Sequence, residues 1–338
     1  MRLYCRDLIT TVVALFASTA CIAADKPTVS FSIDNDGLFH VDQDYTNGLF
    51  LSYATSDVEP NILFHPLSLS YWGKESLDKF EFALGHKTYT PSELDATIPI
   101  ANDRPYAGLL YAELNYLSLT TDHAHRASLT LGTTGENSLA ERGQNVVHHI
   151  TDSTKPRGWA YQIDDKWVAN LGYLHHFNLW RNSQGAGENW ELSNVSEANA
   201  GNFRSDVSTA FMLRWGTDLA NNLGAANIDS EQPFRPSMIG SSSEGWFVFA
   251  GVKARYRFND ITIEGKRSEV IRYAHNQGQD PNQYDVRLEQ TQACAVAGFA
   301  WYNQDFGIAV TTTVKPPEYK NAPDTVYGTG AFTLYAFF

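Results

Sequence analysis

The chain has 338 residues, a formal net charge of −13, 43% apolar residues and 13% aromatics. An acidic chain without a basic cluster argues against nucleic acid as a partner. With three cysteines, two of them within the first 21 residues, a zinc site built from several thiolates is excluded.

Residues 1–23 read as a secretory signal peptide. Arg2 and Arg6 make a basic start, residues 8–17 are apolar, and Cys21 and Ala23 stand at positions −3 and −1 of a cleavage site. The apolar run is too short for a membrane helix. Its removal leaves residues 24–338 as one unit of charge −14, with Cys294 alone and no intrachain disulfide possible.

From Ala24 onward the chain repeats alternating segments of about ten residues, separated by Gly, Asn, Asp and Pro. "KFEFALGHK" (79–87), "GLLYAELNYLSL" (108–119) and "FGIAVTTTVK" (306–315) are examples, and twelve strands are expected. Alternation fits a secreted soluble sandwich or a transmembrane barrel. The length of the strands favours the barrel. Aromatic residues near strand ends (Trp72, Trp159, Trp167, Trp180, Trp190, Trp246, Trp301) suit interfacial girdles. The chain ends on Phe338, with Ala336, Leu334 and Phe332 at every second position before it. The expected fold class is all-β: a transmembrane antiparallel β-barrel of about 12 strands with one short extracellular loop helix.

That helix is expected at "SLAERGQNVVHHITD" (138–152), with Ser138 and Glu141 at capping-box spacing. Gln144 and His148, four apart, share one of its faces. The alternative is a helix that only lids the lumen.

Asn35 and Asp36 close the first strand, and Thr46 opens the second. These residues and His148 are expected to meet at the outer rim. A carboxylate beside an imidazole orients a base. Asn35 is suited to donating to an oxyanion or to giving an oxygen to calcium. No G-x-S-x-G is present, and Ser52 lies inside a strand. His175 and His176 point to opposite faces of their strand. His65, His86, His123 and His125 lack metal spacing and read as ordinary polar residues. In the loop 89–108, Arg104 is either one half of an ion pair in a rigid turn or a contact for an anionic substrate.

"ND" at 35–36, "DYTNGL" at 44–49, "YTP" at 89–91, "DRPYAG" at 103–108 and "GQNVVHH" at 143–149 together resemble the outer-membrane lipid A 3′-O-deacylases. The resemblance covers nearly the whole mature chain. It implies a twelve-stranded barrel with a site between the wall and a loop helix, facing the outer leaflet. It further implies calcium-dependent hydrolysis of the 3′-linked acyloxyacyl chain of lipid A in lipopolysaccharide. His148 then corresponds to the base that activates water, Asp36 to its partner, and Asn35 to a group holding the metal or the oxyanion. Thr46 and Gln144 complete the polar shell. Thr154 departs from the family pattern, which can carry a Glu there, and Asp152 is the nearest substitute. A monomer is expected. The rival readings are a non-enzymatic barrel, either pore or structural protein, and an outer-membrane phospholipase.

Overall fold

The computed structural model describes residues 26–36, 44–151, 155–182 and 187–338; the expected signal peptide lies outside them. All twelve expected strands form. They are β1 (Thr28–Asn35), β2 (Asp44–Ala54), β3 (Leu77–Thr90), β4 (Ala107–Leu119), β5 (His123–Thr134) and β6 (Trp167–Arg181). The second half comprises β7 (Glu188–Gly201), β8 (Arg204–Thr217), β9 (Gly245–Asp260), β10 (Thr291–Tyr302), β11 (Phe306–Lys315) and β12 (Tyr327–Phe337). Each pairs antiparallel with its chain neighbours. β1 also pairs with β12, Thr28 opposite Phe337, and so closes the barrel. An even number of strands leaves Lys26 and Phe338 at one end, here the terminal end; the other is the far end.

The alternation is inside out relative to a soluble protein. Phe31, Ile33, Leu49, Leu51, Phe82 and Leu84 project outward and are exposed. Ser30, Ser32, Ser52 and Glu81 point inward and are buried. Leaving such apolar side chains in water forgoes about 1.5–3 kcal/mol each, which a hydrocarbon surround removes. This decides against the sandwich. Ser52 bonds Ser30 across the lumen face at 2.7 Å, a ladder contact rather than a nucleophile's setting. Trp180, Trp190, Trp215, Trp246 and Trp301 gather near the terminal end, with Trp215 5.0 Å from Trp246 and 6.0 Å from Trp190. That is the expected girdle. Trp159 is not part of it: it is buried in the β5–β6 loop.

The lumen is filled by a segment that the alternation did not reveal. Residues 218–244, between β8 and β9, enter from the terminal end. Arg214 of β8 anchors their start by donating to the carbonyls of Leu219 (2.7 Å) and Asn222 (3.0 Å). Leu219, Ile228, Phe234, Met238 and Ile239 then pack against inward Leu117, Val195, Met212, Phe247 and Phe249. Further along, the filling turns ionic. Asp229 meets Lys253 at 2.8 Å, Arg235 meets Glu113 at 3.0 Å, and Glu231 meets Lys87 at 2.6 Å and Arg204 at 2.8 Å. A charged cavity of about 120 Å³ remains between this segment and the wall. Each added pair satisfies a charge that would otherwise be stranded at several kcal/mol.

Among the described residues, three α-helices follow far-end strand termini: α1 (Ala140–Thr151) after β5, and α2 (Ile261–Glu264) and α3 (Ser268–Asn276) after β9. Only α1 was expected, and it starts differently. A 3₁₀ turn over Gly135–Ser138 comes first, Leu139 takes φ 60°, and the helix begins at Ala140. The Ser138 hydroxyl accepts from Ala140 N–H at 3.3 Å and donates to the Gly135 carbonyl at 2.6 Å. It therefore caps the turn, and the reciprocal box with Glu141 is not its role.

Candidate functional site on the outer wall

Strand parity sets the address of the site. Outward positions are odd on β1, ending at Asn35, and even on β3 and β4, including His86, Thr88, Thr90 and Gly108. On β2 the register breaks between Tyr45 and Asn47. Tyr45 turns inward to donate to Asp34 at 3.2 Å. The bulge frees Thr46 from pairing and sets its hydroxyl against outward Thr90 at 2.6 Å. The Thr46 carbonyl accepts from Asn35 Nδ2 at 3.1 Å and from Asp36 N–H at 3.3 Å. Asn35, Asp36 and Thr46 are thus one cluster, as the sequence suggested. Thr90 joins it; the sequence flagged it only as part of "YTP".

Two glycines of the quoted motifs now have physical reasons. A Cβ on Gly48 would lie 2.0 Å from Tyr45 Oη, so "DYTNGL" needs a bare backbone where Tyr45 folds in. A Cβ on Gly108, the end of "DRPYAG", would lie 2.0 Å from Ser138 Oγ and 2.4 Å from Ala140 Cβ. The start of α1 therefore rests directly on the outer face of β4.

α1 lies along the wall with a buried stripe at Ala140, Gln144 and His148, while Glu141, Arg142 and Val146 are exposed. The shared face of Gln144 and His148 is therefore the inner one. Ala140 sits at β4, and Gly143 is beside His86 of β3, whose ring bonds the Ser138 carbonyl at 3.0 Å. From Ala140 to His148 the helix advances about 12 Å at 1.5 Å per residue, between two and three strand spacings. That path points from β4 across β3 toward β2 and the Thr46 cluster. Trp159 packs under the helix and donates to Gln144 Oε1 at 2.8 Å. Because the indole is only a donor, the amide orientation is fixed and Nε2 faces away. That Nε2 is buried and, among the described residues, has no hydrogen-bond acceptor. The girdle assignment had concealed this contact of Trp159 with Gln144.

Arg104 has a different occupation from the expected contact with an anionic substrate. It is buried, donates to Glu318 at 3.2 Å and Thr262 at 3.0 Å, and lies 4.5 Å over the Tyr89 ring. Its fork is taken up tying three far-end loops together, as is Asp103, which accepts from Ser92 and Tyr319. Burial alone would raise the Glu318 carboxyl. The surrounding Lys315, Arg257 and Arg104 overrule it and hold it well below the ordinary carboxylate range.

Asp36 and Asn35 carry the hard oxygen donors that calcium takes, so the donor set fits that ion in kind. Thr154 and Asp152 lie outside the described residues. The histidine reading needs one correction. Register brings His123, His125 and His175 together across β5 and β6 although their sequence spacing gives no sign of it.

A closed barrel with an apolar outer face, a filled polar lumen and a helix packed on its outer wall defines a membrane-embedded barrel protein. Over residues 8–338 the chain matches the family described as "Outer membrane protein LpxR". It belongs to that family, the lipid A 3′-O-deacylases its motifs resemble, and is an outer-membrane barrel. Among solved structures it is similar to LpxR from Salmonella typhimurium, with a TM-score of 0.74 and 18% identity over 92% of this chain and 100% of that one. The β-domain of the Bordetella autotransporter BrkA gives a TM-score of 0.43 and 10% identity, over 93% of this chain and 99% of that one. Among curated proteins no match is found.

Proposed function

We propose that this chain hydrolyses the 3′-linked acyloxyacyl ester of lipid A by water attack, with His148 as general base. The observation that carries the reading is the side of the wall on which the polar cluster lies. Asn35, Thr46, Thr90 and the Gln144–His148 stripe belong to the outer surface, where a lipid arrives by lateral diffusion without leaving the membrane. With the termini in the periplasm, the cleft faces the outer leaflet, where lipid A resides.

The roles follow from donor and acceptor chemistry. His148 takes a proton from water as its oxygen bonds to the ester carbonyl carbon. The buried Gln144 Nε2, which has no acceptor of its own, donates to the oxygen as it becomes negative. The carbon–oxygen bond to the sugar then breaks, the imidazolium returns its proton to the 3′-oxygen, and the acyloxyacyl chain leaves as a carboxylic acid. Asp36 stabilises the imidazolium, and Thr46 and Asn35 hold the shape of the rim. Asn35 and Asp36 would hold calcium, which when bound draws charge from an ester carbonyl. No serine is needed, consistent with the ladder position of Ser52. A monomer suffices, since every proposed group comes from one chain.

Mass spectrometry of lipid A from cells making this chain, beside cells making His148→Ala, tests the reading. The expected result is loss of the 3′-acyloxyacyl mass only with the intact chain. Unchanged lipid A in both, from barrels with normal heat-modifiable mobility and calcium present, would overturn it. Equal loss in both would remove His148 as the base.

A further inference from the structure

We propose that His123, His125 and His175 form a binding site for one divalent transition-metal ion of the zinc class, on the outer face of the barrel at the terminal end. His123 opens β5, and the register places His175 of β6 opposite His125 and Phe177 opposite His123. Their neighbours Ala124, Leu174 and His176 are buried toward the lumen, so the three rings share the outer face. His176 is occupied there, bonded to Ser193 at 2.9 Å.

One nitrogen from each ring lies within 4.8 Å of the others. His123 Nδ1 and His175 Nε2 face each other at 3.1 Å, and the His125 ring stands perpendicular to that of His175 at 4.4 Å between centroids. Imidazole nitrogens on one tetrahedral zinc, at about 2.0–2.1 Å from it, are about 3.3 Å apart. The first pair already meets that spacing, and a rotation of the His125 ring brings the third within it.

The hydrogen bonding around the rings supports the same conclusion. The facing nitrogens of His123 and His175 stand at hydrogen-bond distance, a contact in which one proton lies between two nitrogens and a cation can take its place. His125 Nδ1 is 2.8 Å from Tyr173 Oη. His125 Nε2 is buried and has no hydrogen-bond partner among the described residues. If Nδ1–H donates to the tyrosine, Nε2 presents a lone pair to the cluster, the arrangement by which a second partner orients a metal-binding histidine. Asp122 is not among the converging ligand atoms; its Oδ1 accepts from Asn178 and Arg181. Lys74 is the nearby cation that partly opposes the ion. Three neutral nitrogens with a fourth position open to water suit zinc better than calcium, which prefers oxygen. Bound there, the ion would clip β5 to β6 at the rim, the length of a strand away from the proposed catalytic cleft.

The full chain, chelator-stripped in detergent micelles, is titrated with zinc chloride in excess calcium by calorimetry. One zinc per chain is expected. His175→Phe and His123→Phe keep the aromatic stacking at the membrane interface, and each should weaken binding by about tenfold or more. His148→Ala should leave it unchanged. Cobalt in place of zinc should give a four-coordinate visible spectrum in the intact chain that either phenylalanine variant abolishes. No stoichiometric zinc, or equal binding by a folded His175→Phe or His123→Phe barrel, would overturn the site. Loss in His148→Ala instead would assign the ion to the opposite rim and overturn it too.

Discussion

The lumen and the outer cleft are both polar, yet they are built to opposite rules. Inside, charge is abundant and matched: Glu231 is shared by Lys87 and Arg204, Asp229 by Lys253 and Arg255, and Glu318 by Arg104, Arg257 and Lys315. Outside, under α1, Gln144 Nε2 has no acceptor among the described residues and no ion pair beside it. Lumen atoms without a partner, such as Glu81 Oε1 and Arg255 Nε, belong instead to groups that are ion-paired through another atom. A buried group without its partner costs on the order of 1–3 kcal/mol. A fold tolerates that where a ligand supplies the missing atom. Paired charges tie the lumen segment to the wall, while on the proposed reading the Gln144 donor is the group that faces substrate.

That contrast can be broken by substitutions on either side of the wall. The largest effect on turnover short of removing the base is expected from Gln144→Ala, a fall of roughly 10²–10³ in kcat with KM little changed. A rise in KM alone, with kcat unchanged, would assign Gln144 to ground-state binding instead. Gly108→Val forces a side chain where Ser138 Oγ and Ala140 Cβ already stand, lifting the start of α1. Misplacing the stripe by about 1 Å should cost on the order of 10²-fold, with the unfolding temperature nearly unchanged because the barrel pairing is untouched. Full activity would show that α1 need not touch the wall.

Glu318→Gln sharpens the other half. It should lower stability by about 3–5 kcal/mol at neutral pH, because it leaves buried cations unmatched, while changing turnover only a few-fold. The pH dependence has a definite sign. A carboxyl held below its unfolded value of about 4.3 stabilises the fold above that pH, and the contribution is lost as pH falls through the folded value. Thermal midpoints of the intact barrel should therefore be level from neutral pH to about 5 and drop below about 4. Glu318→Gln should start lower and drop less. An equally steep drop in the variant would place the acid sensitivity in other carboxylates.

How much of this was legible in the sequence depended on whether the signal was local. The strands were, because lipid outside and polar lumen inside write a period of two into every segment. Gln144 and His148 were, because a helix brings residues four apart onto one face. The lumen segment 218–244 was not: Leu219, Ile228, Phe234 and Met238 follow no period, since each meets a wall that curves around it. α2 and α3 are too short to stand out from a loop. For Arg104 the ion pair and the substrate contact both stood open, because Glu318 is distant in the chain and adjacent only after closure. Trp159 resembled a girdle residue until the loop folded it under Gln144. The three histidines needed the β5–β6 register, which no spacing within one strand reveals.

The most direct test sets the two sides of the wall against each other. Purified His148→Ala and Glu231→Gln barrels, matched for folded protein by heat-modifiable mobility, are assayed for release of the acyloxyacyl chain from lipid A. The expected result is a loss of about 10²–10⁴ in rate for His148→Ala, with Glu231→Gln within a few-fold of the intact protein despite a lower unfolding temperature. A normal rate in His148→Ala together with collapse in Glu231→Gln would move the chemistry into the lumen and contradict the outer-wall site.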